Sequence, residues 1–203
     1  MKIAATRAAQ LISGALIVTA TTQLVYVVLG GGGNSHIAYP IWRIETVSAL
    51  VVALFGFSIV RQHALVGGCL ASAGIFNVIQ TGMGLTMFYQ LGYGGETPPN
   101  PVFFSVLRMS FFLYFSAKAA LGVAALVLGA ELWQKVIKGK WRIIGGLSFL
   151  TGLIALQLNI AAMLLGLGVV PFAGAAGVAA SLFVAVTLIH LMKMSETNTD
   201  KTN

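Results

Sequence analysis

Six apolar runs, at about 8–29, 42–60, 64–89, 103–134, 143–166 and 171–192, make up most of this chain. A bilayer's hydrocarbon core is about 30 Å thick and needs about 20 residues at a helical rise of about 1.5 Å each, so every run is long enough to cross it. Within hydrocarbon the backbone must satisfy its own N–H and C=O groups, which makes each run a helix. The expected fold class is therefore all-α, a polytopic bundle of six transmembrane helices forming one domain over residues 1–194, with a disordered polar tail at 195–203. Composition agrees: 58% of the 203 residues are hydrophobic and 8% charged, too little polar surface to cover a soluble core.

Lys2 and Arg7 precede the first run as they would in a signal peptide, but the run continues from Leu11 to Leu29 without a small-x-small cleavage site. It reads as an uncleaved first helix. Nine of the twelve Lys and Arg residues then fall on one side: Lys2, Arg7, Arg61, Lys135, Lys138, Lys140, Arg142, Lys193 and Lys201. By the positive-inside rule this puts the N- and C-termini in the cytoplasm and makes the inner cell membrane the expected location. The formal charge of +7 is then a topology signal, and no nucleic-acid partner is needed to explain it. The outer loops hold flexible glycines at 30–33 and 92–95 and stiff prolines at 40, 98, 99 and 101, with the second helix expected to begin near Pro40.

Counting residues from the anchor at each helix's inner end gives a depth for every polar side chain. Arg7 to Gln23, Arg61 back to Glu45 and Ala64 to Gln80 are each 16 residues, while Trp133 back to Lys118 and Arg142 to Gln157 are each 15. All five reach about 22 to 24 Å above the inner interface. Asn77 and Asn159 lie within a turn of this level, and Tyr114 is one turn from Lys118 on the same helical face. An ammonium in hydrocarbon costs about 2.5 to 3.5 kcal/mol on insertion scales, so such groups turn inward and find partners. Glu45 is the carboxylate at the matching depth, and the expectation is that Lys118 and Glu45 are close, with Gln80 and Gln157 completing their hydrogen bonds. Above this layer, Arg43, Arg108 and Glu96 are the expected mouth, slightly cationic and suited to an anionic or zwitterionic small molecule.

Other chemistry has little material. The histidines, at positions 36, 63 and 190, all lie outside the mid-membrane, so a bis-histidine haem is not expected. There is no H-E-x-x-H, no G-x-S-x-G and no phosphate loop, and one cysteine, Cys69, cannot build an intramolecular disulfide or a CxxC site. No metal and no cofactor is expected. Lys118 beside Phe111, Phe112, Tyr114 and Phe115 also has the makings of a Schiff-base lysine, a minor reading. Gly67, Gly68 and Gly74 in the third helix match Gly145, Gly146 and Gly152 in the fifth, a faint repeat, and Ala173, Gly177 and Ser181 form a small-residue stripe in the sixth.

Three readings follow. The leading one is a small carrier or ligand-binding membrane subunit, not an enzyme, with an outward-facing polar pocket. The second is an accessory or assembly membrane protein without a ligand, whose polar layer only orders the helices. The third is a lipid- or quinone-linked membrane enzyme, whose site opens sideways to the bilayer. The bilayer is the certain partner; a small-molecule ligand, a second copy or a partner membrane subunit stays open.

Overall fold

A computed structural model describes residues 5–30, 34–93, 101–166, 168 and 170–199. Six helices long and apolar enough to span a membrane make this a multi-pass membrane protein, and no strand occurs among the described residues. They are α1 (Ala5–Val28), α2 (Ser35–Ile59), α3 (Ala64–Met83), α4 (Pro101–Lys135), α5 (Lys140–Leu165) and α6 (Val170–Thr199). Short connections alternate their direction, so one end of the bundle collects Arg7, Arg61, Lys135, Lys138, Lys140, Arg142 and Lys193. That end is called the basic end, and its opposite the far end.

Several boundaries depart from the hydropathy runs for local reasons. Helix α2 begins at Ser35, ahead of Pro40, because Asn34 caps it, its Oδ1 accepting a hydrogen bond from the His36 N–H at 3.1 Å. Pro40 lies in the second turn on an exposed position, where its missing N–H is tolerated. Pro101 starts α4 as a first-turn proline. Past Met83, α3 widens into a π-turn at Gly84–Phe88 and then a 3-10 turn at Tyr89–Leu91, ending at Gly92 with φ 94°. Helix α6 continues through Ser195–Thr199, part of the stretch expected as a disordered tail, since no Gly or Pro interrupts it there. Residues 200–203 lie outside the described set.

Helix α4, 35 residues long, packs against α3, α5 and α6; α1 packs on α2 and α6, and α2 on α3. The closest approaches are made by glycines one heptad apart. A Cβ at Gly152 of α5 would lie 2.5 Å from the Leu126 backbone nitrogen of α4, and one at Gly129 of α4 would collide with the Phe149 backbone. Gly67 and Gly74 of α3 press in the same way on Val60 and Ala53 of α2. Two of the three matched glycines, Gly67 with Gly145 and Gly74 with Gly152, thus seat a helix on the one before it, where small residues let backbones gain dispersion contact, while Gly68 meets nothing and Gly146 faces the Trp133 ring. Polar groups support the seams: Ser148 donates to the Ala125 carbonyl at 2.8 Å, and Ser13 of α1 donates to the Ala185 carbonyl of α6 at 2.8 Å. At the basic end, Glu131 sits 2.6 Å from Lys135 and 3.6 Å from His63, and the Trp141 and His190 rings stack at 3.7 Å.

Candidate functional site

The far half of the bundle holds a cavity of about 710 Å³ between α1, α2, α3, α4 and α6. Its floor is polar. Gln23 from α1, Glu45 from α2, Gln80 from α3 and Ser110 and Tyr114 from α4 all line it. Behind them lies Lys118, fully buried, whose Nζ donates to Gln23 Oε1 at 2.9 Å and sits 5.4 Å from the centre of the Tyr114 ring. Residues 110, 114 and 118 are four apart on α4, so one helical face presents all three. The Lys118 stem lies flat on Gly177 of α6, where a Cβ would come within 2.7–2.8 Å of its Cβ, Cγ and Cδ. The small-residue stripe of α6, Ala173, Gly177 and Ser181, is thus turned inward onto its own bundle, all three being buried.

Glu45 and Lys118 share this cluster and act on each other electrostatically, but they do not form a direct ion pair within 4.0 Å. Glu45 Oε1 accepts from the Thr22 hydroxyl at 3.1 Å, while Lys118 bonds to the next residue of α1, Gln23. The neighbouring α1 side chains Thr22 and Gln23 stand between the two charges. An ammonium has donors and no acceptor, so it fixes the Gln23 carboxamide with its oxygen toward Lys118 and leaves the NH₂ for another partner. Gln80, Ser110 and Tyr114 have no side-chain hydrogen bond within the described protein, although they face the cavity.

The remaining residues of the expected layer lie elsewhere. Gln157 is exposed on the outward face of α5, so it does not complete the hydrogen bonds of Lys118 and Glu45. The α5 face that packs inward is Gly145, Ser148, Gly152, Ala155, Asn159 and Ala162, and position 157 falls on the other side of the helix. Asn159 is on that inward stripe and ties α5 to α6, its Nδ2 donating to the Ala155 carbonyl at 2.7 Å and the Ala173 carbonyl at 3.3 Å. Asn77 is half-buried on α3, outside the cavity lining, and its carbonyl accepts from Thr81 at 2.8 Å. Arg43 and Arg108 are exposed and do not line the cavity. Glu96 lies outside the described residues.

What stands over the floor is aromatic. Trp42 packs edge-on to Phe88 and Tyr39, each at 5.6 Å between centroids, and Phe88 meets Phe103 at 5.4 Å. The Tyr26 and Tyr93 hydroxyls meet at 3.4 Å across the same cluster. These rings come from α1, α2, the turn after α3, and α4, so they roof the cavity toward the far end. They are scattered in the sequence, and only the tertiary packing groups them. Thr22 and Ser110 were equally overlooked, though Ser110 is legible in retrospect from its four-residue spacing to Tyr114 and Lys118.

No known protein family, curated protein or solved structure matches the chain. The cavity is the chain's most informative feature, with about 710 Å³ of space, a polar floor, apolar walls, and hydrogen-bonding groups that the described protein does not pair.

Proposed function

We propose that this chain is a ligand-binding membrane subunit whose far-half cavity seats a small molecule by its polar head, on Gln23, Glu45, Gln80, Ser110 and Tyr114, with Lys118 holding Gln23 in place. The observation that carries this reading is the hydrogen-bonding capacity left at the floor. An assembly device made only to join helices would pair its polar groups with each other, because an unpaired one in a low-dielectric interior costs about 1–3 kcal/mol. Here helices are bridged directly by Ser13, Ser148 and the Nδ2 of Asn159, whose Oδ1 is buried without a partner away from the cavity. Gln80, Ser110 and Tyr114, which face the cavity, make no such bridge among the described residues, while Gln23 spends its oxygen on Lys118 and keeps its NH₂.

With Arg43 and Arg108 away from the cavity, the cationic mouth that favoured an anion loses its support. One ammonium and one carboxylate remain in the cluster, and they balance. The half of the bundle toward the basic end is packed with Ala, Leu, Ile and Val around α4, which favours a binding subunit over a carrier with a path across. The basic residues favour the inner cell membrane with the basic end in the cytoplasm.

The test is to purify the wild-type protein and Gln23→Leu, Gln80→Leu and Lys118→Met variants in mild detergent and measure bound small molecules by native mass spectrometry and solvent extraction. The expected result is a species retained by the wild type and lost from each variant that still elutes as a folded protein. Identical profiles in the wild type and all folded variants would return the polar floor to the assembly reading.

A further inference from the structure

We infer that the ligand of this cavity is a bilayer-dissolved amphiphile with an uncharged, carbonyl-bearing ring head and an apolar tail, the chemical class of the quinones, and that it enters sideways between the far halves of α1 and α6. This rests on the binding reading above and adds the route and the ligand class.

The route follows from where α1 lets go of the bundle. Its buried residues run from Ala8 to Ala20, and beyond them every residue is half-buried or exposed. Toward the basic end α1 is fastened to α6 by Ser13 and Ala185. Toward the far end Leu24, Val27 and Val28 line the cavity while being 55%, 74% and 81% exposed. Across the gap Pro171, Ala175 and Leu182 of α6 likewise line the cavity and are exposed. Residues that belong both to a cavity wall and to the bundle's outside mark its opening. Counted from Arg7 and Lys193, the opening runs from Leu182, 11 residues up, to Val28 and Pro171, 21 and 22 residues up, about 16 to 33 Å from the basic end, so most of its height lies within the hydrocarbon and its upper edge reaches the far interface. The aromatic cluster of Tyr26, Trp42, Phe88 and Tyr93 covers the cavity toward the far end on its α2 and α3 side.

The head follows from the floor. Lys118 takes the Gln23 oxygen, so Gln23 offers its NH₂; Gln80, Ser110 and Tyr114 add further donors. Glu45 of the same floor is an acceptor but already takes the Thr22 hydroxyl, so these donors are left to meet acceptors such as carbonyl oxygens. Glu45 and Lys118 already balance in charge, and a charged head would leave one charge unpaired in a low-dielectric site, so an uncharged head is favoured. Rings suit the walls, because Tyr26, Trp42, Phe88, Tyr93, Phe111 and Tyr114 all face the cavity and aromatic pairs gain about 0.5–1.5 kcal/mol beyond area burial. The tail would lie between Leu24, Val27 and Val178 and pass into the bilayer.

Trp42 lines the cavity and is 7% exposed, while Trp133 and Trp141 are at the basic end, so Trp133→Phe with Trp141→Phe leaves one reporter. The protein is placed in vesicles of lipids brominated on their acyl chains, or in ordinary vesicles with iodide outside, and separately titrated with decylbenzoquinone. Trp42 fluorescence should be quenched by brominated lipid and untouched by iodide, and Ala175→Phe, which fills the gap, should reduce the lipid quenching. Decylbenzoquinone should quench saturably, with an apparent Kd weakened about tenfold by Gln80→Leu, the worth of about 1.4 kcal/mol for one lost hydrogen bond. Quenching by iodide and not by brominated lipid would overturn the sideways route and leave a water-fed binding site. Protection from both quenchers would sink the route and the binding reading together. Lipid quenching with decylbenzoquinone quenching that is linear and indifferent to Gln80→Leu would keep the route and overturn the ligand class.

Discussion

Gly177 is where the buried lysine can be tested without touching it. A methyl group added there would sit 2.7–2.8 Å from three stem atoms of Lys118, all close to the α4 backbone and therefore unable to swing clear. Such overpacking costs about 1–3 kcal/mol, and the displaced stem should also weaken the 2.9 Å bond from Nζ to Gln23. In a Lys118→Ala background the Cγ and Cδ contacts are gone and the 2.8 Å contact with the Cβ stays, so Gly177→Ala should cost clearly less than in the wild type. The two substitutions should therefore be coupled by about 0.5–2 kcal/mol in a double-mutant cycle, measured by reversible unfolding in mixed micelles. Gly68→Ala is the control, since a Cβ there meets nothing within 4 Å and should do no harm. Additivity of Gly177→Ala and Lys118→Ala within about 0.5 kcal/mol would refute the placement of the lysine stem against α6.

Three further outcomes are expected. Gly129→Val should abolish folded protein or cost more than about 3 kcal/mol, because its side chain would meet the Phe149 backbone, and size-exclusion profiles after mild-detergent extraction read this directly. Asn159→Leu should cost about 0.6 to 1.7 kcal/mol, the range of interhelical hydrogen bonds in membranes, and leave Trp42 quenching unchanged, since its bonds to Ala155 and Ala173 lie outside the cavity. Reporter fusions after Lys138 and after Lys193 should both be active as cytoplasmic fusions and inactive as exported ones, while a fusion after Asn34 should behave in the opposite way.

The existence and number of the helices were legible because bilayer thickness sets the length of an apolar run and little else competes with it. Rotation about each helix axis was harder. Residue counting from an anchor gives height, and by height Gln157 belongs with Lys118. Around the axis it does not, and the signal that decides was in the sequence: Gly145, Ser148, Gly152, Ala155, Asn159 and Ala162 step by three and four, the inward stripe of a helix seated on a close neighbour. Gln157 is off that stripe and Asn159 on it. For Lys118 and Glu45 height and rotation agreed, so both reach the same cluster. That Thr22 and Gln23 would stand between them depends on side-chain reach across three helices, which no single helix's pattern contains. The aromatic roof was invisible for the same reason, being drawn from four separate elements.

The cavity itself follows from an imbalance of side-chain size between α1 and α6. Toward the basic end both helices bury large beside small, α1 with Ala8, Ala9, Ile12, Ser13 and Leu16 and α6 with Val184, Ala185, Leu188 and Leu191, and the interface closes. Toward the far end, α6 turns to small residues, Gly174, Ala175 and Ala179, and a closed interface would need large ones opposite. Helix α1 does have large residues there, in Leu24, Val27 and Val28, but it leaves them largely exposed while Gln23 and Tyr26 of the same segment engage the floor and roof. The polar contacts of Gln23 with Lys118 and Tyr26 with Tyr93 thus fix how α1 is turned, and that turn prevents its apolar side chains from filling the space beside Gly174. In hydrocarbon a gap of this kind has little penalty so long as apolar chains can occupy it, since lipid is as apolar as leucine and helix contact gains nothing from expelling it. An α6 wall whose Gly174, Ala175 and Ala179 alternate with larger Pro171, Val178 and Leu182, facing a turned-away helix, is therefore stable as an opening toward lipid, with the polar floor left at its inner end.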